Sequence, residues 1–227
     1  MHPDPKSGLH LCGLNLRLDG QLLAALDAKV AQGEVLTVMG ASGSGKSSLL
    51  AALAGFLAPP FTIEGRIVLA GRDVTYLPPQ ARRMGLMFQQ PLLFPHMSVG
   101  ENLLFALPAG GSSGERRRKI EQALADADLE GFAARDPQTL SGGQQSRVAL
   151  VRVLLAEPLA LLLDEPFAAL DTALRSAMRD LVFAAARKAG LPVVLVTHDR
   201  ADAEAAVGQI LQLDAAAPYS EASAGSA

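Results

Sequence analysis

The chain has 227 residues, 49% of them hydrophobic and 19% charged, a balance that is typical of a globular protein and excludes a disordered or collagen-like chain. With 20 Lys and Arg against 23 Asp and Glu the formal net charge is -3, so no overall positive field would hold nucleic acid, and we expect no nucleic-acid partner. Cys12 is the single cysteine, which excludes an internal disulfide framework and a multi-cysteine zinc site.

The apolar pattern of the first half predicts an antiparallel sheet, followed by a strand, a glycine-rich loop and a helix. Leu9–Leu18 alternates apolar and polar residues, as a half-buried strand does, and residues 19–20 (Asp-Gly) supply a turn. The apolar run at residues 35–39 predicts the strand before the loop, and residues 47–53 favour a helix after it. Two further strands are predicted at residues 65–70 and 84–88.

The second half alternates predicted strands with predicted helices. These elements are an amphipathic helix at 115–129, a helix after Leu140, a strand at 159–163, a helix at 172–188 and a strand at 193–197. Such alternation favours a parallel sheet covered on both faces. The small and polar residues 214–227 predict a disordered tail.

No stretch of the sequence predicts export or membrane insertion. The amino terminus lacks the basic start, apolar core and cleavage site of a signal peptide. The longest apolar runs fall far short of the roughly 18 residues that favour a spanning helix. We therefore expect that any work at a membrane is done from outside the bilayer.

Residues 40–47 carry the phosphate-binding pattern G-x-x-x-x-G-K-[ST] between a predicted strand and a predicted helix. Glycines let successive backbone N–H groups converge on a phosphate, and the positive end of the helix dipole adds to the attraction. Lys46 would reach the β- and γ-phosphates of a nucleotide, and the Ser47 hydroxyl would complete a Mg²⁺ shell. The predicted nucleotide contacts of this phosphate loop are Gly40, Ala41, Ser42, Gly43, Ser44, Gly45, Lys46, Ser47 and Ser48.

Two acids end a buried apolar run in the second half. Residues 161–163 are leucines, and a strand there would deliver Asp164 at its carboxyl end, the edge at which open α/β sheets bind their ligands. At that edge Asp164 can hold Mg²⁺, and Glu165 can take a proton from an attacking water. The loop and the two acids together predict a phosphohydrolase or phosphotransferase that uses a Mg-nucleotide.

A second anion site is predicted where residues 140–144 (Leu-Ser-Gly-Gly-Gln) open a helix, because backbone N–H groups and a helix dipole meet there as well. One loop already suffices for one nucleotide. The second half-site, made by Ser141, Gly142, Gly143 and Gln144, therefore suggests that it closes on an ATP held by another chain.

With these motifs in order, the sequence resembles the nucleotide-binding subunit of ATP-binding cassette (ABC) transporters across about residues 9–213. In that family's terms residues 40–47 are the Walker A loop, residues 140–144 are the signature, and Walker B ends at Asp164. The resemblance adds three motifs, which are the Q-loop glutamine Gln89, the D-loop that ends at Asp171, and the switch histidine His198.

The resemblance implies an α/β fold, with a P-loop NTPase core built on a parallel sheet, an N-terminal antiparallel β-subdomain and an inserted α-helical subdomain. Residues 1–213 would form a single ABC ATPase domain. Within it, about 1–89 and 156–213 would make the catalytic core with the β-subdomain, and about 90–155 the helical subdomain.

It also implies a head-to-tail dimer in which the Lys46 loop of one copy and the Ser141 signature of the other enclose each ATP, so that a monomer is nearly inactive. Asp171 would cross the dimer interface. The catalytic residues so implied are Glu165, His198, Gln89 and Lys46, and the Mg²⁺ ligands are Ser47, Gln89 and Asp164. Glu165 would be the base, and His198 would hold the γ-phosphate.

The chain departs from the family where adenine is usually stacked on an aromatic side chain, because Leu18 stands at that place. Leucine can still pack on adenine, so Leu18 is predicted as a nucleotide contact. We expect weaker nucleotide affinity or poorer discrimination of the base, since base stacking on an aromatic ring is worth about 1–3 kcal/mol elsewhere.

The stretch after Gln89 resembles that of bacterial importers for thiamine, polyamines, sulfate, molybdate or ferric iron, and above all small stand-alone thiamine-type importer ATPases. This implies transmembrane permease subunits, a substrate-binding protein in the complex, and a peripheral position at the cytoplasmic face of the inner membrane. Two interpretations of Leu92, Leu93, Phe94 and Met97 stay open: an apolar surface that receives a permease helix, or packing in the core.

Two other functions compete with import. A stand-alone exporter cassette would carry the same motifs. A soluble ABC ATPase of DNA repair or of the ribosome is disfavoured, because the segment between Gln89 and Leu140 is too short for the coiled coil of repair members and the chain shows no second cassette. The transported molecule cannot be read from this subunit, which the molecule would never touch.

Overall fold

The computed structural model describes residues 8–41 and 43–213. Ser42 of the predicted phosphate loop and the tail predicted at 214–227 lie outside the described residues. In chain order the strands are β1 (Leu9–Leu18), β2 (Gln21–Val30), β3 (Val35–Gly40), β4 (Phe61–Leu69), β5 (Arg72–Asp73), β6 (Met84–Met87), β7 (Ala160–Asp164), β8 (Val193–Val196) and β9 (Gln209–Leu213). The helices are α1 (Lys46–Ala54), α2 (Pro79–Arg82), α3 (Val99–Ala106), α4 (Ser113–Ala125), α5 (Gly142–Leu155), α6 (Thr172–Lys188) and α7 (Arg200–Ala206).

The first sheet is antiparallel, with the strand order β2-β1-β4-β5. Leucines at alternate positions of β1 are buried, as the period-2 pattern predicts, and a bulge between Leu11 and Leu14 shifts the alternation by one residue, so that the leucines on both sides of it enter the same core. The predicted strand at 65–70 begins earlier than expected, at Phe61, because residues 61–64 pair with the second half of β1. This sheet is the predicted N-terminal antiparallel unit.

The second sheet is parallel, with the order β6-β7-β8-β3-β9. Its central strands are apolar and almost fully buried, as expected for strands covered on both faces. In the register of the sheet, Val196 of β8 lies between Val38 of β3 and Asp164 of β7. The carboxyl ends of these three strands therefore lie side by side, and the loops that leave them share one edge.

The segment between β6 and β7 contains helices and no strand among its residues, all of which are described. Helices α3, α4 and α5 pack around a hydrophobic cluster of their own, which includes Val99, Leu103, Ile120, Leu124 and Val148. The α/β fold with a parallel sheet, an antiparallel sheet and a helical region is thus the predicted one.

Helix bounds follow local capping residues more closely than apolar periodicity. The helix predicted at 115–129 is α4, which begins after Ser112 because that side chain and Glu115 form a capping box. It ends at Ala125, since the chain turns into the left-handed conformation at Asp128. Helix α6 has the predicted bounds, 172–188.

In the part of the chain that the structure describes, no helix has the length and apolar character required to cross a bilayer.

Candidate functional site

The predicted phosphate loop joins β3 to α1 at the carboxyl edge of the parallel sheet. Gly43 and Gly45 adopt left-handed backbone angles, with φ of 82° and 88°, which side-chain-bearing residues rarely adopt. Gly40 is required for a different reason: a Cβ there would lie 2.6 Å from the Leu213 carbonyl oxygen and 2.7 Å from the Ser44 hydroxyl. The glycine spacing therefore reflects backbone geometry and close packing.

Lys46 is folded back onto this loop. Its Nζ donates to the carbonyl oxygens of Gly40 at 2.8 Å and Ala41 at 2.7 Å, and the residue is only 6% exposed. The neighbouring Ser44 Oγ is buried and has no hydrogen-bond partner among the described residues. A buried ammonium and a buried, unpartnered hydroxyl in one glycine loop fit an anionic ligand that accepts hydrogen bonds from them.

The start of α1 contacts the end of β7. Ser47 Oγ donates to Asp164 Oδ1 at 3.3 Å. Burial raises the pKa of Asp164, the Ser47 hydrogen bond opposes that shift, and the charge of Glu165 adds to it. A hydroxyl and a carboxylate oxygen side by side are ligands that Mg²⁺ prefers, so these two residues fit that ion.

Glu165 and His198 lie in contact at the ends of adjacent strands, β7 and β8. His198 Nδ1 is 3.0 Å from Glu165 Oε1, and the Glu165 amide donates to the Val196 carbonyl at 3.0 Å. Glu165 has a left-handed φ of 46°, an unusual conformation for a residue with a side chain and one that clusters at functional sites. The two side chains are 25% and 60% exposed, so a substrate can reach them.

Two other predicted site residues, Gln89 and Leu18, are more exposed than the buried Lys46. Gln89 follows β6 and is exposed. Leu18 ends β1, is half-buried, and is paired in register with Gln21 and Phe61. Sequence reasoning missed Leu23, whose Cβ lies 3.5 Å from the position that a Cβ on Gly45 would take. No motif points to Leu23, because the contact depends on β2 passing beside the phosphate loop.

The predicted signature forms the N-terminus of α5. Ser141 caps this helix: its Oγ accepts from the Gln144 amide at 3.3 Å, and the Gln144 side chain accepts from the Ser141 amide at 3.0 Å. A Cβ on Gly142 would meet nothing within 4 Å, whereas one on Gly143 would lie 2.4 Å from a methyl carbon of Leu174. The helix end is therefore open at Gly142 and closely packed at Gly143.

The structure brings only part of the predicted set together. The phosphate loop, Asp164, Glu165 and His198 share one sheet edge, whereas no hydrogen bond among the described residues joins residues 141–144 to residues 40–48. Asp171 caps α6, where its carboxylate accepts from the Leu174 amide at 3.0 Å. Ser48 lies in the first turn of α1 and is half-buried.

Comparisons with known proteins identify the family. The ABC transporter family model matches residues 23–168. The uncharacterized ABC transporter ATP-binding protein YnjD of Escherichia coli (strain K12) is 46% identical over 86% of this chain and 91% of its own length. The thiamine import ATP-binding protein ThiQ of Jannaschia sp. (strain CCS1) is 43% identical over 91% of this chain and 89% of its own.

A solved structure agrees with the sequence relatives. It is a dimeric ATP-binding cassette in a post-hydrolysis state bound to ADP and Pi, with a TM-score of 0.73 and 31% identity over 91% of this chain and 96% of that one. The fold, the phosphate loop and these similarities indicate the same family. The chain belongs to the ABC transporter family, as an ATP-binding and ATP-hydrolysing subunit.

Proposed function

We propose that this chain is the motor subunit of a bacterial ABC importer, in which two copies enclose ATP head to tail and drive a membrane permease. The observation that carries the proposal is the open N-terminus of α5 at Ser141 and Gly142, which no hydrogen bond among the described residues joins to the chain's own phosphate loop. A helix N-terminus can bind an anion through its N–H groups, so this one fits a nucleotide brought by a second copy.

ATP would bind first to the phosphate loop. Gly40, Ala41, Ser42, Gly43, Ser44, Gly45, Lys46, Ser47 and Ser48 would surround its phosphates. Lys46 would exchange the two carbonyl oxygens that it now contacts for phosphate oxygens. Leu18 would pack on the adenine at the end of β1 in place of a stacked ring. Mg²⁺, held by Ser47, Asp164 and Gln89, would neutralise charge on the phosphates.

Hydrolysis would then need a base and a group that holds the γ-phosphate. Glu165 would take a proton from a water whose oxygen attacks the γ-phosphorus, while the bond from that phosphorus to the β-γ bridging oxygen breaks. His198 would hold the γ-phosphate, and its contact with Glu165 supports a shared place in the reaction. The products are ADP and inorganic phosphate.

The second copy would complete each site. Ser141, Gly142, Gly143 and Gln144 of one copy would contact the γ-phosphate bound by the other, and Asp171 would cross the interface. The dimeric state of the ADP-bound structural relative supports this arrangement. Closure of the dimer on ATP and its reopening after hydrolysis would be the movement that the permease uses.

Import, and thiamine as a candidate cargo, are supported by the name of the ThiQ relative. A permease would dock beside the Q-loop, where Leu92 is 54% exposed and Phe105 is 69% exposed. The Phe94 ring packs edge-on against the Phe105 ring, with 5.2 Å between the ring centroids, and Leu93 packs on the helical core. These two side chains therefore lie beneath the exposed surface and hold it in place. A substrate-binding protein would join the complex, and the subunit would lie at the cytoplasmic face of the inner membrane.

We also propose the domain division expected from the sequence. Residues 1–213 would act as one ABC domain, with about 90–155 as a helical subdomain that moves relative to about 1–89 and 156–213. The separate hydrophobic cluster of α3, α4 and α5 supports this division. Gln89 stands just before the first of these boundaries, where it would relay the state of the nucleotide to the permease surface.

The test is the mass of Glu165→Gln measured by size-exclusion chromatography with light scattering, with and without Mg-ATP. This variant keeps the phosphate loop but lacks the base, so we expect a monomer without ATP and a dimer with it. Glu165→Gln combined with Lys46→Ala should stay monomeric. If the single variant binds ATP and remains a monomer, the isolated chain does not form the proposed sandwich.

A further inference from the structure

Arg175, in the first turn of α6, contacts two separate loops at the catalytic edge of the sheet. Its Nη1 donates to Asp199 Oδ2 at 2.6 Å, and its Nη2 donates to the carbonyl oxygens of Ala168 at 3.3 Å and Leu170 at 3.4 Å. The side chain is 25% exposed, and that of Asp199 is 30% exposed. One guanidinium thus bridges loop 165–171, which runs from Glu165 to Asp171, and loop 197–199, which contains His198.

Loop 165–171 is short and internally bonded. The Ala168 amide donates to the Glu165 carbonyl at 3.2 Å, and the Leu170 amide donates to the Phe167 carbonyl at 3.1 Å. Phe167 is fully buried. These contacts tie the loop together between Glu165 and Leu170, the residue before Asp171.

Loop 197–199 is equally well fixed. The Asp199 amide donates to Thr197 Oγ1 at 3.0 Å, and Asp199 Oδ1 caps α7 by accepting from the Ala201 amide at 2.8 Å. Burial raises the pKa of Asp199, but the Ala201 amide and the Arg175 charge outweigh it and hold that pKa below its ordinary value. Asp199 therefore stays ionised at neutral pH, and its ion pair with Arg175 persists.

We propose that Arg175 is a positioning residue that locks loop 165–171 to loop 197–199, so that a movement of Asp171 also moves His198. The inference rests on the proposed function, because the second copy would push on the loop at Asp171. Arg175 touches no reacting atom. It fixes how Glu165 and His198 lie relative to each other, and it makes that arrangement depend on the dimer interface.

Arginine suits this role better than lysine. Its planar fork presents several donors in fixed directions, so one side chain serves a carboxylate and two carbonyl oxygens at once. A lysine ammonium could keep the charge opposite Asp199 but would not hold both loops in one geometry. The kcat of Arg175→Lys should therefore lie between that of wild type and that of Arg175→Ala.

The test uses the full chain, at protein concentrations high enough that the ATPase rate per molecule no longer rises with further protein. We expect Arg175→Ala and Asp199→Asn to lower kcat by about tenfold while KM for ATP stays within about twofold, because Arg175 makes no hydrogen bond to the phosphate loop among the described residues. The double variant should be about as slow as Arg175→Ala, because Asp199→Asn then removes only an interaction that is already lost.

Arg200→Ala is the matched control. Arg200 is adjacent to Asp199 in sequence, but it pairs with the exposed Glu204 at 2.9 Å within α7, and no other side-chain bond of Arg200 is found among the described residues. The kcat and KM of Arg200→Ala should remain those of wild type. Thermal unfolding of every variant separates a loss of fold from a loss of positioning.

Amide hydrogen exchange tests the link directly and needs no turnover. Asp199→Asn, which alters loop 197–199, should speed exchange in loop 165–171 as well, and Arg200→Ala should not. If exchange rises only around residue 199 and kcat is unchanged, the loops are independent and the inference is wrong. If wild type hydrolyses no ATP, the proposed function fails, while the exchange comparison still decides whether Arg175 couples the loops.

Discussion

Ser47 Oγ donates to Asp164 Oδ1 at 3.3 Å, although 117 positions of sequence separate the two residues. The contact joins the first turn of α1 to the carboxyl end of β7. It exists because β8 alone lies between β3 and β7 in the sheet, so that the loops leaving these strands meet. Two oxygen groups that the sequence predicts as ligands of one Mg²⁺ are thereby held within hydrogen-bond distance of each other.

Lys46→Ala should weaken ATP binding and abolish hydrolysis. The ammonium is the buried cation of the phosphate loop, and hydrogen bonds to charged groups are worth about 1.5–3 kcal/mol, which corresponds to a rise in Kd of about tenfold to a hundredfold. Titration with a fluorescent ATP analogue measures this change. Lys29→Ala, on the exposed face of β2, is the control and should bind like wild type. An unchanged Kd for Lys46→Ala would remove Lys46 from the site.

Leu18→Tyr should tighten ATP binding, because an aromatic ring can stack on adenine where leucine only packs. Stacking is worth about 1–3 kcal/mol, so a fall in Kd of about tenfold is expected. Isothermal titration with Mg-ATP, using Glu165→Gln to prevent turnover, gives the value. Leu22→Tyr is the control. Leu22 is 45% exposed and is next in sequence to Leu23, which faces the phosphate loop, and its substitution should leave the Kd for ATP unchanged. A weaker or equal affinity would show that the base binds elsewhere.

Gly142→Ala and Gly143→Ala should fail in different ways. A methyl group at Gly143 would collide with Leu174, and overpacking costs about 1–3 kcal/mol, so the melting temperature should fall. A methyl group at Gly142 has free space around it and should leave the melting temperature unchanged while it obstructs the partner's phosphate. Thermal unfolding and ATP-induced dimerisation of the Glu165→Gln background distinguish the two. Equal melting temperatures would contradict the packing role of Gly143.

Arg82→Ala should destabilise the fold strongly. This buried guanidinium donates to four carbonyl oxygens at 2.7–2.8 Å, those of Ala52, Leu53, Thr75 and Leu77, and so fastens the end of α1 to the segment before β6. Leaving a buried acceptor unpaired costs about 1–3 kcal/mol in the free energy of unfolding. Urea unfolding measures the loss. Arg83→Ala, which removes one exposed bond to Glu157, should cost far less, and similar losses for both would refute the assignment.

Contiguous motifs could be predicted from the sequence, and contacts between distant segments could not. The phosphate loop, the capping residue Ser141 and helix α6 each follow from neighbouring residues, so their positions were correctly predicted. The bounds of strand β2 were not predicted, because residues 21–25 do not alternate apolar and polar residues, although residues 26–30 do. The Arg175 bridge depends on the order of strands β7 and β8, which no local pattern specifies.

The Gly40 and Ala41 carbonyl oxygens of the phosphate loop compete with a bound phosphate for the Lys46 ammonium. A ligand must offer oxygens that replace both the Gly40 and the Ala41 carbonyls, or the lysine keeps its present contacts. Adenosine monophosphate has no β-phosphate to make that exchange, whereas ADP and ATP do. We therefore expect the loop to distinguish nucleotides by the number of their phosphates, whatever base they carry.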